Sequence, residues 1–235
     1  MREGPYYDVT GGGPVLLLMP GGAGHPMGLG PLTERLSRRF TVVTYDPLGL
    51  AHGRLGLPVP DQRPPDWSDG ARRVLEEVLP PGERGYVFGT SSGGIAALDL
   101  LARHPGRLAH VVAHEPPCAL VLSDGEERRR ALIAALDGGE RPPSESPMGV
   151  FLAHVLRPFT AYVPAAPAEP ERRLTLAVGA DSRGEVAGDA AEVLADTYGS
   201  RLLEFPGGHL GTLEHPVEFA DRLTGALLGG LGSEA

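Results

Sequence analysis

The sequence predicts an α/β fold in which helices cover both faces of a doubly wound, mostly parallel sheet. Short apolar runs alternate with helix-forming runs over most of the 235 residues. Several of the apolar runs are continuous rather than alternating with polar residues, which is typical of strands buried on both faces. Strand–helix alternation favours a parallel sheet, and the length suits one domain over residues 1–235.

Seven strands and five helices are predicted along the chain. The strands are Tyr6–Val9, Val15–Met19, Thr41–Tyr45, Gly85–Phe88, Leu108–Ala113, Leu174–Val178 and Leu202–Glu204. The helices are Gly30–Arg39, Ser68–Leu79, Ser92–His104, Ala187–Tyr198 and Pro216–Leu228. In the last of these helices, apolar residues recur every four positions and form one buried face, at Phe219, Leu223 and Leu227.

Residues 116–173, taken approximately, interrupt the strand–helix alternation. This segment holds a charged helical run, Asp124–Leu136, and an amphipathic run, Gly149–Phe159, with proline-rich joints around them. We interpret it as a small helical cap insertion that lies over the functional site, because it is too irregular to be an independent domain.

Composition excludes several classes of function. A formal net charge of −9 argues against a nucleic-acid partner, which requires a basic face. The longest strongly apolar run, Val15–Met19, is too short to cross a bilayer, and the first residues do not resemble a signal peptide. The single cysteine, Cys118, excludes an internal disulfide. These features predict a cytoplasmic protein without a membrane partner, and the Arg, Gly, Ala and Pro excess is typical of a GC-rich bacterial genome.

Two absent residue types narrow the chemistry further. The sequence contains no lysine, so a pyridoxal-type Schiff base, a Ser-Lys pair and a phosphate-loop lysine are all excluded. It contains no asparagine, which excludes a Cys-His-Asn site. Neither a cysteine pair nor a helical His-Glu-x-x-His arrangement is present, so no metal site and no cofactor are predicted.

The segment Gly89-Thr90-Ser91-Ser92-Gly93 joins a predicted strand directly to a predicted helix. This Gly-x-Ser-x-Gly arrangement is typical of a nucleophile elbow, in which a sharp turn lifts a serine hydroxyl off the end of a strand. The two glycines leave room for the close approach of backbone to backbone that such a turn requires. Ser91 is therefore the candidate nucleophile.

Acyl transfer at a serine also needs a base and donors for an oxyanion. His209 follows the last predicted strand and precedes the last helix, which places it at the same sheet edge as Ser91. The glycine-rich loop Pro20–Gly24 follows the second strand, so the backbone N–H groups of Gly22 and Ser92 would form the donor pair. A phosphate-binding loop is the alternative for these glycines, and the missing Gly-Lys-Ser/Thr makes it a poor match.

With these segments in this order, the chain resembles the α/β-hydrolase family over nearly its whole length. The resemblance rests on the loop Pro20–Gly24, Tyr45–Gly49 after the next strand, the Ser91 turn and Gly207–His209. More narrowly, the segment Ala113–Pro117 is similar to that of compact bacterial esterase-like hydrolases. The chain departs from the family in having Pro20-Gly21 where His-Gly is usual, a position that orients the loop and performs no chemistry.

The resemblance leaves two candidates for the acid that orients His209. The family commonly places this acid after the strand that ends here at Val178, which points to Asp181, but the usual spacing falls on Ser182. Some members take it from the loop after the preceding strand, which points to Glu115. The two stay open at this point, with the register slightly favouring Glu115.

These residues predict a serine hydrolase of carboxylic esters, or of thioesters or lactones, that works on a small molecule through an acyl-enzyme intermediate. Arg157 and Phe159 in the cap are candidates for substrate contact. A serine at this turn argues against the epoxide hydrolases and dehalogenases of the family, which use an aspartate there. Carbon–carbon bond hydrolases and peptidases with the same three residues stay open, as does a non-hydrolytic binding or cyclisation protein on the same scaffold.

Overall fold

The computed structural model describes residues 4–25, 29–139 and 142–229, and its strands form a single sheet. The strands are β1 (Tyr6–Gly11), β2 (Val15–Met19), β3 (Thr41–Asp46), β4 (Gly85–Thr90), β5 (Leu108–His114), β6 (Leu174–Gly179) and β7 (Arg201–Phe205). Their order across the sheet is β1-β3-β2-β4-β5-β6-β7. The pairing of β1 with β3 is antiparallel, whereas the pairings from β3 to β7 are parallel.

Helices connect and cover the strands. They are α1 (Gly30–Leu36), α2 (Pro64–Val78), α3 (Ser92–Arg103), α4 (Gly125–Asp137), α5 (Pro147–Val150), α6 (Leu156–Thr160), α7 (Pro170–Arg173), α8 (Val186–Tyr198), α9 (Gly211–Glu214) and α10 (Pro216–Leu228). Single turns of 3₁₀ helix lie at Leu50–His52, Pro105–Arg107 and Ala119–Val121, and a π-helical turn, Phe151–Val155, joins α5 to α6. No helix within the described ranges has the length and apolarity needed to cross a bilayer.

Strand β2 shows why the sheet is buried on both faces. All five of its residues are buried, and successive side chains point to opposite faces of the sheet. Leu17 packs in the apolar cluster that contains Trp67 of α2, whereas Leu16 and Leu18 pack in the cluster that contains Phe219 of α10. The predicted doubly wound, mostly parallel sheet is therefore confirmed.

The element boundaries differ from the predicted ones mainly at prolines and at the ends of strands. Helix α2 begins at Pro64 rather than at Ser68, because two prolines fit the first positions of a helix, where their missing N–H groups need no partner. Helix α1 ends at Leu36, and the chain turns before β3 rather than continuing in the helix to Arg39.

The segment between β5 and β6 is held to the body of the fold through its second half. Phe159 of α6 packs edge-on against Trp67, with ring centroids 4.8 Å apart. The carbonyl of His154 accepts a hydrogen bond from the N–H of Gln62 at 2.9 Å. Residues 140 and 141 of this segment lie outside the described ranges, and its function as a cap stays a prediction.

Candidate active site

Ser91 lies at the turn between β4 and α3 in a strained backbone conformation. Its φ is +53°, a region that costs a non-glycine residue about 1–3 kcal/mol. The flanking glycines make this turn sterically possible. A Cβ at Gly93 would lie 1.9 Å from the carbonyl oxygen of Met19, and one at Gly89 would lie 2.3 Å from that of Gly93. The turn therefore tolerates no side chain at either position without movement of the backbone.

Three side chains from separate loops form one hydrogen-bonded series. The Nε2 atom of His209 lies 3.1 Å from the Oγ of Ser91, and its Nδ1 lies 2.9 Å from Oε2 of Glu115. A proton on Nδ1 is donated to the carboxylate, which leaves the lone pair of Nε2 facing the serine hydroxyl. This arrangement can take a proton from Ser91 and return it to another group.

Glu115 is fully buried at the point where β5 ends. Its backbone N–H donates to the carbonyl of Ala177 at 3.0 Å, and its Oε1 accepts the N–H of Gly179 at 2.7 Å. Burial by itself would raise the pKa of this carboxyl. The hydrogen bonds from the His209 imidazole and the Gly179 N–H, together with the charge of the neighbouring His114, outweigh that effect and lower the pKa to about 2. Glu115 is therefore an anion throughout the neutral pH range.

Asp181, the other candidate for this carboxylate, lies elsewhere. It is exposed in the loop after β6, and its backbone N–H donates to the carbonyl of Gly207 at 3.1 Å. Within the described residues its side chain has no hydrogen bond to the His209 imidazole, whose Nδ1 is occupied by Glu115. The structure thus brings Glu115, and not Asp181, to the histidine.

The two predicted oxyanion donors lie at the same edge of the sheet. Gly22 lies in the wall of the cavity beside Ser91, and Ser92 is the first residue of α3. An N–H group in the first turn of a helix has no acceptor within that helix and can therefore bind an anion. The loop passes close to the serine, since a Cβ at Gly21 would lie 2.8 Å from that of Ser91.

A cavity of about 680 Å³ opens beside Ser91 and His209. Its wall is mostly apolar, and much of it comes from the segment between β5 and β6. The charged residues in the wall are Arg128, whose guanidinium is held by Asp189 at 2.7 Å and by the carbonyl of Gly184 at 3.0 Å, and Glu185. Among the described residues, no cluster of three or more His, Cys, Asp or Glu side chains is suited to a metal ion.

The structure places Arg157 and Phe159, the two candidates for substrate contact, apart from the cavity. Neither belongs to the residues that line the cavity. Phe159 is buried against Trp67, and the exposed guanidinium of Arg157 pairs with Asp137. Arg157 therefore joins two parts of the segment and Phe159 joins the segment to α2, whereas Phe151 and Leu156 from the same helical run face the cavity.

The sequence assigns no role in the site to His114, although its ring lies beside that of His209. Its imidazole is fully buried and lies nearly parallel to that of His209, with centroids 6.5 Å apart. Burial lowers the pKa of His114 to about 4, with Glu115 opposing that shift and His209 adding to it. The signal that could have identified it is its position, because it directly precedes Glu115 at the end of a central strand.

The low pKa of His114 predicts that mild acid destabilises the fold. The His114 imidazole takes up a proton near pH 6.5 in the unfolded chain but only near pH 4 in the folded chain. Between these values the unfolded chain binds more protons, so unfolding becomes progressively favoured as the pH falls. Between pH 7 and pH 5 this group should remove ~2 kcal/mol from the free energy of unfolding. Urea denaturation at both pH values measures this loss. The free energy of unfolding of a His114→Phe variant should fall by ~2 kcal/mol less than that of the wild type over the same pH interval. Equal losses in the two proteins would contradict the prediction.

The sequence was compared with protein-family models and with known proteins. No protein-family model matches the chain. A protein of Bacillus subtilis (strain 168) named as an uncharacterized hydrolase, YraK, is 29% identical, and the match covers 93% of this chain and 90% of that protein. The similarity thus extends over nearly the whole of both sequences.

The solved structures with a similar fold include two that are named for an activity. One is a thermophilic esterase from Thermogutta terrifontis, with a TM-score of 0.68, 18% identity, and coverage of 96% of this chain and 93% of that chain. The other is Est816, described as an N-acyl homoserine lactone degrading enzyme, with a TM-score of 0.64, 21% identity, and coverage of 94% and 95%. At these identities the likeness establishes the fold and leaves the substrate open.

Proposed function

We propose that this chain, which has the fold of the α/β hydrolases, is a serine hydrolase that cleaves a carboxylic ester of a small molecule. The observation that carries the proposal is the series Ser91–His209–Glu115, joined by hydrogen bonds of 3.1 and 2.9 Å at the floor of a mostly apolar cavity. An ester, a thioester and a lactone share the electrophilic carbonyl that this series would attack.

In the proposed first step, the Nε2 of His209 takes the proton of the Ser91 hydroxyl as Oγ bonds to the carbonyl carbon. The oxygen of that carbonyl becomes an anion, which the N–H groups of Gly22 and Ser92 would stabilise by about 3–4 kcal/mol per donor. His209 then gives its proton to the departing alcohol oxygen, and the acyl group stays on Ser91.

In the proposed second step, His209 takes a proton from water, and the resulting hydroxide attacks the acyl carbon. Collapse of the tetrahedral species returns the proton to Ser91 and releases a carboxylic acid. Through both steps the Glu115 carboxylate accepts the Nδ1–H, which holds the required tautomer and stabilises the imidazolium. Every proton is transferred between groups of this chain, substrate and water, so the proposal includes no cofactor.

A fluorophosphonate probe tests the proposal directly, because it forms a stable covalent bond only with an activated serine. We expect one molecule of probe per chain by intact-mass analysis, and peptide mapping to place it on Ser91. A native protein that resists labelling and leaves a panel of chromogenic esters intact would instead favour the non-hydrolytic binding or cyclisation function.

We also propose that the segment over residues 116–173 is a cap that selects the substrate. It provides much of the apolar cavity wall, including Leu132, Met148, Phe151 and Leu156. Each methylene buried there would contribute ~0.8 kcal/mol, so kcat/KM for p-nitrophenyl esters should rise several-fold per added carbon until the cavity is filled. The series from acetate to decanoate measures this dependence.

A matched pair of variants on α4 isolates the contribution of the cap. Ala135 lines the cavity and the adjacent Ala134 does not. Ala135→Phe should lower kcat/KM for octanoate while leaving acetate within about twofold, because it shortens the space for the chain. Ala134→Phe should change neither value. A flat chain-length profile, or equal effects of the two variants, would contradict the proposed selection.

A further inference from the structure

His114 connects the turn that carries Ser91 to the turn that carries Glu115. It is the last residue of β5, and its carbonyl accepts the N–H of Ser91 at 2.9 Å. Its Nδ1 lies 3.1 Å from the hydroxyl of Thr90, the residue before Ser91. Its peptide carbonyl bonds covalently to Glu115. One buried residue is therefore joined to both turns.

Among the described residues, only one of the two ring nitrogens of His114, Nδ1, has a hydrogen-bond partner. Nε2 is buried and has no hydrogen-bond partner among the described residues. The ring packs edge-on against Phe219, with centroids 5.0 Å apart, and lies nearly parallel to the ring of His209. A phenylalanine ring could make the same packing contacts. What the histidine adds is therefore the hydrogen bond at Nδ1.

The two turns that His114 joins are both strained. Ser91 has a φ of +53° and Glu115 a φ of +42°, and both are non-glycine residues in the left-handed region. Such conformations persist only where the surrounding contacts determine them. The contacts between Thr90–Ser91 and His114 hold the first turn relative to the second, and with it the nucleophile relative to the acid.

We propose that His114 is a positioning residue, which acts through its hydrogen bond to Thr90 to hold Ser91 and Glu115 in register around His209. This inference rests on the proposed serine hydrolase function. In that role the ring must stay neutral, because a second cation beside His209 would oppose formation of the imidazolium in each proton transfer. Its burial among apolar side chains meets that requirement, since burial disfavours the charged imidazole.

A pair of substitutions separates positioning from packing. His114→Phe keeps an aromatic ring without the bond at Nδ1, whereas His114→Asn can offer a polar atom near the Nδ1 position in a smaller side chain. We expect His114→Phe to lower kcat, and the rate of fluorophosphonate labelling, by about tenfold, as for the loss of one hydrogen bond, with KM within about twofold. His114→Asn should recover a large part of that loss.

Thr90→Val gives an independent test, because it removes the same hydrogen bond from the other side and keeps the side-chain shape. It should reproduce the loss of kcat, and the double variant Thr90→Val/His114→Phe should be no slower than the worse single variant. Additive losses in this cycle, or full labelling rates in both single variants, would overturn the proposal. If His114→Phe fails to fold by circular dichroism, Thr90→Val alone decides by the same criterion.

The outcomes also separate this inference from the function on which it rests. A wild-type protein that the probe does not label contradicts the proposed function and the inference together. A wild-type protein labelled at Ser91, with labelling rates unaffected by loss of the Thr90–His114 bond, contradicts the inference alone.

Discussion

Replacing Ser91 by alanine should lower kcat toward a chromogenic ester by on the order of 10⁵- to 10⁶-fold and abolish fluorophosphonate labelling. The Oγ of Ser91 is the atom that the Nε2 of His209 faces at 3.1 Å, and alanine leaves the base without a proton to accept. The backbone of the turn should be unchanged, because alanine and serine have the same steric restriction at a φ of +53°. Steady-state turnover and intact-mass analysis of the labelled protein measure both effects.

The matched control for this experiment is Ser144→Ala, which removes a hydroxyl from an exposed position in the segment between β5 and β6. It should keep the wild-type turnover and the wild-type labelling stoichiometry. Probe attached to the Ser91→Ala protein with unchanged stoichiometry would show that another residue is the nucleophile, and would refute the mechanism proposed for this site.

Replacing Glu115 by glutamine should lower kcat by about 10⁴-fold, since the base would then be held in the wrong tautomer. The geometry gives a specific reason. One carboxylate oxygen accepts the N–H of Gly179 at 2.7 Å and the other faces the Nδ1 of His209. An amide has only one acceptor oxygen, and the Gly179 N–H would retain it. The NH₂ group would then face Nδ1, place the imidazole proton on Nε2 and prevent His209 from accepting the proton of Ser91.

Asp181→Asn is the matched control for the acid, because it makes the same chemical change in the loop after β6. This side chain is exposed and lies outside the hydrogen-bonded series, so kcat should stay within about twofold of wild type. Thermal unfolding of both variants checks that each is folded at the assay temperature. Small and similar losses in the two variants would show that neither carboxylate orients the histidine.

The sheet could be predicted from the sequence because its strands are apolar on both faces. In β2 the five consecutive residues Val15–Met19 are all buried, so no alternation was needed to recognise the strand. Helix boundaries were less predictable, as at α2. Apolar periodicity locates the buried face of a helix but not its first turn, which is determined there by Pro64 and Pro65.

Part of the candidate site could also be predicted, namely the position of Ser91 at a strand–helix turn and of His209 in a loop at the same sheet edge. The choice between Glu115 and Asp181 depended on which loop turns its carboxylate inward. That direction comes from a φ of +42° at Glu115 and from the N–H of Gly179 on the adjacent strand, and neither is encoded in local spacing. Arg157 and Phe159 were assigned by their place in the segment, although neighbouring residues on one helical run face opposite ways.

The position of Glu115 directly after β5 has a consequence for how the substrate range of such a protein could evolve. The proposed nucleophile, Ser91, and the proposed acid, Glu115, directly follow the adjacent parallel strands β4 and β5, so the pairing of those strands sets the distance between them. The loop after β6 and the first turn of α8 contribute Gly184–Ala187 to the cavity wall, but neither carries the carboxylate that bonds to the His209 imidazole. Substitutions or insertions in that loop would therefore change which substrates bind, while the hydrogen bonds among Ser91, His209 and Glu115 stay unchanged.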